Sequence, residues 1–351
     1  MTRRLLCTLA GLCFFTLFLL TGCDQDPIFY HISNEVPPKD PRIKGTPTDI
    51  VKYGSSIYVA SMGGSTVHQY ENGWNTISAP GGKVRGLAAT SNPAALYALT
   101  FAKLEPSNST VKKYNGSWST IVNNTGYTYL QKICAAEDKL FVWASQGYSE
   151  SGAILYEDGG DLKVVLEGVK TLNGAVKGTN DGLYYLGTAS GLYSTDLSTT
   201  TQINSTPIMG VTKVTGNDTI VAAARGSILY KVGSTAGFST SSSGDRLSGG
   251  MAVYDNGPRK FLLFGLETTS STNQGYREMA LSSSGDFPVG SLSLRHPGDT
   301  SPSTVNSLGQ YDASIGIHAV RHIFHVGGDI IFASTAKDGL WSYRGEWNGE
   351  D

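Results

Sequence analysis

The sequence predicts an all-β fold, a seven-bladed β-propeller of four-stranded antiparallel blades. Three observations predict it. The 351 residues include 43 Gly and 18 Tyr, a composition typical of strands joined by turns. Beyond the N-terminal segment, no window of about 15 residues has the 3.6-residue period of an amphipathic helix. A unit of about 44 residues, the length of one four-stranded blade, recurs seven times between residues 45 and 351.

The first 22 residues have the pattern of a secretory signal. Arg3 and Arg4 precede the apolar run LLCTLAGLCFFTLFLL, which is a little shorter than the ~20 residues that cross a membrane. The run leads into LLTGC, which ends at Cys23 and resembles the lipobox of bacterial lipoproteins. That resemblance implies that Cys23 becomes the acylated N-terminus and holds the chain on a lipid bilayer. An ordinary secretory signal or a short membrane anchor is the alternative.

Cysteine count and charge narrow the class of protein further. Cys7 and Cys13 are removed with the signal, and the Cys23 thiol is acylated. Only Cys134 is then left, so the mature chain forms no intrachain disulfide. Loss of the signal leaves 25 basic and 29 acidic residues, a net charge of −4. This mildly acidic balance gives no indication of nucleic-acid binding.

The chain therefore divides into a signal (residues 1–22), a lipidated tether (23–44) and a propeller domain (45–351). Within the tether, Pro27–Ser33 reads PIFYHIS and is predicted to form a strand. We expect it to pair with the outer edge of the last blade and so close the ring. The alternative is that the C-terminal residues EWNGED provide the fourth strand of that blade.

Each repeat contains apolar strands separated by Gly-, Asn- and Asp-rich turns such as YGSS and GTNDG. A single four-stranded meander cannot bury both of its apolar faces, whereas seven stacked in a ring can. The ring also removes long exposed sheet edges. The predicted blades cover residues 48–78, 85–122, 131–166, 173–203, 212–240, 250–285 and 321–350.

Two blade phrases resemble those of known propellers. PTDIVKYGSSIYVAS is similar to the NHL repeat, and TASGLYSTD is similar to the repeat of two-component-regulator propellers. With the lipobox and the short tether, the chain resembles the propeller lipoproteins of spirochaetes, treponemes in particular. The resemblance implies a propeller anchored in the bacterial cell envelope and facing the periplasm or the cell surface. It implies no reaction.

The stretch STAKDGLWSYRG, Ser334 to Gly345, resembles the Asp-box of sialidases only in part. Ala336 stands where the Asp-box has its Asp, and Leu340 stands where it has its Thr. The stretch aligns instead with second-to-third-strand turns of other blades. We therefore interpret it as a blade turn, with Trp341 packing between blades.

The stretch HAVRHIFHVGGD is the candidate ligand site richest in histidine. His318 and His322 fall on one face of a strand, and His325 falls on the other, near Asp329. Residues four apart in a strand lie ~13 Å apart, too far to share one metal ion. We therefore predict no metal site, and keep His318 and His322 as candidate ligand-binding residues.

Arg85, Arg225 and Arg321 fall in or near predicted innermost strands. If all three line the central channel, their guanidinium groups could bind an anion. Scattered structural arginines are the alternative.

No arrangement of nucleophile and base, phosphate loop or paired carboxylates can be picked out, so we nominate no catalytic residue and no cofactor. The leading hypothesis is a membrane-anchored, non-enzymatic scaffold that binds a protein partner. The alternative is a glycan- or small-ligand-binding receptor, or a hydrolase or lyase, with its site over the channel. Fold alone does not decide between them.

Overall fold

The protein is a ring of antiparallel sheets in which the strands of each sheet follow one another along the chain. The computed structural model describes residues 43–102, 109–147, 151–267, 275–290, 292–294, 319–336, 339–343 and 347–349. These residues contain 27 strands, β1 to β27, in seven sheets. None of them forms a helix that is long and apolar enough to cross a membrane. The predicted fold class, an all-β propeller of seven antiparallel blades, is confirmed.

The blades are numbered in chain order, and the first strand of each lies innermost. Blade 1 contains Val51–Tyr53 (β1), Ser56–Ala60 (β2), Val67–Tyr70 (β3) and Trp74–Ile77 (β4), and blade 2 contains Lys83–Ser91 (β5), Ala94–Phe101 (β6), Ser109–Tyr114 (β7) and Trp118–Thr120 (β8). Blade 3 contains Tyr129–Ala136 (β9), Lys139–Ser145 (β10), Gly152–Asp158 (β11) and Asp161–Val169 (β12), and blade 4 contains Leu172–Lys177 (β13), Tyr184–Thr188 (β14), Gly191–Thr195 (β15) and Thr200–Asn204 (β16). Blade 5 contains Ile208–Val214 (β17), Thr219–Ala224 (β18), Ser227–Lys231 (β19) and Ser239–Ser242 (β20). Blade 6 contains Leu247–Asp255 (β21), Lys260–Leu266 (β22) and Tyr276–Ala280 (β23). Blade 7 contains Val320–Gly327 (β24), Ile330–Thr335 (β25), Leu340–Tyr343 (β26) and Trp347–Gly349 (β27).

Glycines with positive φ form the tight turns between the first and second strands of blades 1 and 7. Gly54 lies between β1 and β2 with φ of +62°, and Gly328 lies between β24 and β25 with φ of +57°. Glycine adopts this left-handed region without a Cβ clash, which suits tight hairpins. Blade 6 differs from the others because its described part has three strands, and residues 281–290 continue without forming a fourth.

The core consists of seven apolar layers, one between each pair of neighbouring blades. Between blades 7 and 1, for example, Ile57 and Val59 pack with Phe332 and Leu340. The rings of Trp74 and Phe332 stack there with centroids 5.6 Å apart. Each blade thus buries both faces against its neighbours, which is the reason the sequence repeats predict a closed ring.

The ring closes in a different way from the one we expected. β27 pairs with β26, so the outer edge of blade 7 is occupied by the chain's own C-terminal segment. The pairing expected for Pro27–Ser33 is therefore wrong, because β25 and β27 already take both edges of β26; Pro27–Ser33 itself lies outside the described residues.

Contacts between residues 43–47 and blade 7 join the two ends of the ring. The amide of Leu340 donates a hydrogen bond to the carbonyl of Ile43 at 3.1 Å, and Gly339 donates to Gly45 at 2.8 Å. Ile43 is also buried in the apolar layer between blades 7 and 1. The first described residues of the chain thus hold blade 7 beside blade 1.

The described part of the sialidase-like stretch covers the end of β25, residues of the turn and β26, so it contains the blade turn that was predicted. The Thr335 amide donates to the Gly339 carbonyl at 3.2 Å across this turn. Trp341 packs against the apolar layer between blades 6 and 7. Its role is therefore packing between blades, which confirms the interpretation drawn from the sequence.

Candidate functional site

The central channel opens into a cavity of about 830 Å³. Its wall comes from the innermost strands of all seven blades. Met62, which follows β2, and Glu267, which follows β22, also line it. The cavity therefore lies at the end of the ring where innermost strands begin and second strands end; we call this end the channel mouth. Its volume lies within the range of small-molecule sites, roughly 300–1,000 Å³.

A β-bulge near the start of the innermost strand shapes this wall. In blade 2 the pairing between β5 and β6 shifts around Arg85. The same shift occurs around Gln131 in blade 3, Asn173 in blade 4, Met209 in blade 5 and Arg321 in blade 7. A bulge places two residues opposite one and re-aims a side chain. Each of these bulged residues lines the cavity.

Most polar side chains at this level are used in hydrogen bonds of the ring. The Asn173 amide donates to the Ile208 carbonyl of the next blade at 2.7 Å. Gln131 donates to the Ser145 hydroxyl at 2.7 Å. Ser248, in the bulged start of β21, donates to the Val320 carbonyl of blade 7. The bonds of Asn173 and Ser248 join neighbouring blades, that of Gln131 lies within blade 3, and all three side chains are committed to structural contacts.

Arg85 and Arg321 differ from these residues. Neither side chain makes a hydrogen bond or ion pair with any described residue, although both line the cavity. Arg85 is half-buried, and burial lowers the pKa of its guanidinium. Arg321 is exposed at the mouth. Within the described part of the chain, both guanidinium groups are thus without a polar partner.

Glycine follows the bulged residue in blades 4 and 5, namely Gly174 and Gly210, and Gly250 lies in the bulged start of β21 in blade 6. A Cβ on Gly210 would lie 2.0 Å from the carbonyl oxygen of Gly249, and one on Gly250 would lie 2.4 Å from that of Arg321. Neighbouring innermost strands meet there backbone to backbone, so a side chain would force them apart. This side of the channel is therefore lined closely by main chain.

The opposite side of the channel carries charged groups at the same level. Asp49 of blade 1, Lys132 of blade 3 and His322 of blade 7 line the cavity there. His322 Nδ1 lies 2.9 Å from Asp49 Oδ1. Burial alone would raise the pKa of Asp49, but His322 and Lys132 favour the carboxylate and hold the pKa below its usual value. Asp49 is therefore ionised at neutral pH.

The charges of the cavity wall do not balance. Glu267 is paired with Arg225, whose Nε lies 3.3 Å from Glu267 Oε2. The wall has one further carboxylate, Asp49, and three cations, Arg85, Lys132 and Arg321. Lys132 lies near enough to lower the pKa of Asp49, but it makes no ion pair within 4 Å among the described residues. The wall therefore carries an excess of positive charge.

Cys134 is the cysteine in the cavity wall. Burial, opposed by Lys132 and reinforced by Asp49, raises the pKa of its thiol to about 12. The thiolate is the reactive form of cysteine. At neutral pH this thiol is therefore protonated and unreactive.

Of the six predicted site residues, three line the channel, one does not, and two lie outside the described residues. Arg85 and Arg321 line the channel wall, and so does His322, which was not predicted to lie there; whether they bind a ligand stays a prediction. Arg225 does not line the wall, which corrects the prediction: it lies in the turn between β18 and β19, exposed, and pairs with Glu267. His318 and Cys23 lie outside the described residues.

The rest of the histidine-rich stretch lies at the other end of blade 7. His325 Nε2 lies 3.0 Å from the Gly328 carbonyl, and its ring packs against Tyr254. Asp329 accepts a hydrogen bond from the Tyr254 hydroxyl at 2.7 Å and pairs with Arg259. Across the described residues, no three His, Cys, Asp or Glu side chains come close enough to hold a metal ion. His325 and Asp329 thus serve the contact between blades 6 and 7.

The face opposite the mouth is joined by ion pairs between blades. Asp138 of blade 3 accepts from Lys177 at 3.0 Å and from the Tyr184 hydroxyl at 2.9 Å, both in blade 4. Burial and Asp138 together raise the pKa of Tyr184 to about 12. Asp181 of blade 4 accepts from Lys231 of blade 5 and from the Tyr185 hydroxyl of its own blade. This face contributes to stability through contacts that satisfy its charges.

The three most informative comparisons agree with these observations. The chain is 26% identical to an uncharacterized lipoprotein of Treponema pallidum (strain Nichols), and the match covers 99% of this chain and 100% of that one. A chain of a mitotic checkpoint complex superposes with a TM-score of 0.60 at 12% identity, covering 90% of this chain and 96% of that one. An extracellular domain from B. thetaiotaomicron superposes with a TM-score of 0.55 at 13% identity, covering 85% of this chain and 38% of the other.

No protein-family model matches the sequence. The structural likenesses show the propeller fold alone, because the identities are low. The lipoprotein match extends over almost the whole chain, including the segment that holds Cys23. The chain is therefore a β-propeller that is similar from end to end to a treponemal lipoprotein, as the sequence predicted.

Proposed function

We propose that the protein is a lipid-anchored binding protein of the bacterial envelope, whose propeller holds a protein partner at the channel mouth and performs no reaction. Similarity to a lipoprotein and the lipobox at Cys23 support the anchor and the envelope location. The observation that carries the binding role is the pair of arginines at the mouth, Arg85 and Arg321, which make no contact with described residues that would account for them.

The cysteine thiol and the serine hydroxyl of the cavity wall are not activated for covalent catalysis, which supports a binding role. The Cys134 thiol has its pKa raised to about 12 and is protonated at neutral pH. The Ser248 hydroxyl donates to the Val320 carbonyl and has no base beside it among the described residues. Nucleophilic catalysis requires a nucleophile that is activated by a base or by a lowered pKa.

A photo-crosslinking residue, p-benzoylphenylalanine, tests where the partner binds. It is introduced into the full-length lipoprotein at Met62, which lines the mouth, or at Ile203 in the outermost strand of blade 4. Both side chains are partly exposed, at 48% and 38%, so Ile203 is a matched control. We expect a crosslinked protein partner from position 62 and none from position 203. Crosslinking from position 203 alone would refute a binding site at the mouth.

The second candidate function is a receptor for a small ligand within the channel. The volume of the cavity, about 830 Å³, favours it. A screen of glycans and metabolites on the same full-length protein separates the two candidates. Binding of a small molecule without any crosslinked protein at position 62 would support the receptor and contradict the scaffold.

A further inference from the structure

The cations at the channel mouth differ from the basic side chains that form ion pairs elsewhere in the ring. Elsewhere in the described chain, Lys177, Lys213, Lys231, Arg259 and Arg277 each lie within 4 Å of a carboxylate. Among the described residues, Arg85, Lys132 and Arg321 have no carboxylate within that distance, and all three line one cavity. Their charge is therefore left uncompensated at one place in the molecule.

Partial burial makes this uncompensated charge significant. Burial removes water from the Arg85 guanidinium and lowers its pKa. A partly desolvated cation without a counter-charge is unfavourable, and a bound anion would offset that cost. Arginine also presents a planar fork that binds carboxylate or phosphate through two parallel hydrogen bonds.

The framework holds these side chains in place. Arg85 and Arg321 occupy bulges of innermost strands, and the adjacent residues Val84 and Val320 are buried in apolar layers between blades. A site on paired strands is positioned more accurately than one on loops. The cationic groups are thus arranged before any ligand binds.

We propose that the channel mouth binds an anionic group, a carboxylate or a phosphate, through Arg85, Lys132 and Arg321. The inference rests on the proposed function, because it names the chemistry by which the mouth would recognise its partner. Asp49 is the ionised carboxylate of the mouth and opposes an anion. The single charge of Asp49, which is paired with His322, reduces the excess of positive charge but does not reverse it.

Isothermal titration calorimetry on the full-length protein in detergent tests this inference with two probes, inorganic phosphate and a triglutamate peptide. We expect at least one probe to bind, and to bind more weakly at 0.5 M salt. The double variant Arg85→Gln/Arg321→Gln should bind at least about tenfold more weakly, since hydrogen bonds to charged groups are worth this much or more. Arg259→Gln, on the opposite face, is the matched control and should bind normally.

A variant that is expected to bind more tightly separates a change in the site from misfolding, because a misfolded protein would not gain affinity for the probe. Asp49→Asn removes a negative charge from the mouth and should bind the same probe about fivefold more tightly, by the Coulomb energy of nearby charges at a wet surface. Binding of phosphate alone would indicate a phosphorylated ligand, and binding of the peptide alone an acidic segment of a protein. No binding of either probe to the parent protein at millimolar concentration, or equal binding by the double variant, would overturn the inference.

The two proposals fail in distinguishable ways. A partner crosslinked at position 62 and bound equally by the double variant would leave the scaffold standing and remove the anion site. Anion binding that depends on Arg85 and Arg321, without any crosslinked partner at the mouth, would do the reverse.

Discussion

Replacement of Gly210 by alanine tests the close packing of innermost strands around the channel. The new Cβ would lie 2.0 Å from the Gly249 carbonyl oxygen and 2.9 Å from its Cα. The backbone of Gly210 is outside the left-handed region, so alanine adopts its conformation and any cost comes from contact. To restore an ordinary contact of 3.4 Å, two neighbouring strands must separate by about 1.4 Å. Overpacking typically costs 1–3 kcal/mol, and we expect about 3 because the opposing atoms are backbone.

Thermal unfolding followed by calorimetry measures this cost. For a ring of this size, a loss of about 3 kcal/mol lowers Tm by roughly 6 °C. Gly86→Ala is the matched control, since Gly86 holds the same position in blade 2 and a Cβ there would meet Ile133 Cγ1 at 3.5 Å, an ordinary contact. We expect its Tm to change by less than about 2 °C. Equal Tm values for the two variants would refute the backbone contact between blades 5 and 6.

Three further predictions follow from named groups. The raised pKa of Cys134, about 12 against an ordinary 9.0, should make its alkylation by iodoacetamide at neutral pH about 1,000-fold slower than that of free cysteine; rates within tenfold of each other would contradict this. The Tyr184 phenol ionises near pH 10 in the unfolded chain and near 12 when folded, so it holds its proton longer in the folded state, and stability should fall as pH rises through this window. Tyr184→Phe should reduce that fall in chemical denaturation, and an unchanged pH slope would count against it. Cys23→Ser should abolish acylation and move the protein out of the detergent phase in a partition assay; quantitative retention in detergent would contradict the anchor.

Much of the fold could be predicted because each blade repeats the same strand and turn pattern. The innermost bulge was missed, although its signal is in the sequence. The motifs VRGL, LQKI, LNGA, IMGV and VRHI each have an apolar residue, the bulged residue, a Gly, Lys or His, and another apolar residue. The predicted repeats began at Arg85, Asn173 and Arg321 and so separated the first apolar residue from its motif. Aligning the repeats on that residue would have revealed it.

Other features depend on the closed ring and cannot be read from one sequence. Asp138 and Lys177 are 39 residues apart and meet only because blades 3 and 4 are neighbours. Arg225 was placed near an innermost strand, but the turn between β18 and β19 carries it outside the wall. We expected Pro27–Ser33, and not EWNGED, to be the fourth strand of blade 7, because EWNGED is short and acidic. Pairing with β26 makes Trp347–Gly349, within EWNGED, a strand.

The most direct test of a cationic binding mouth is quantitative capture of the protein partner by the full-length lipoprotein and its variants. The parent protein, Arg85→Gln/Arg321→Gln and Arg259→Gln are compared at equal loading, with unchanged Tm as the condition for including a variant. We predict that the double variant retains less than about a tenth of the partner, because it loses charge-assisted hydrogen bonds, and that Arg259→Gln retains all of it. Full capture by the double variant would contradict the account.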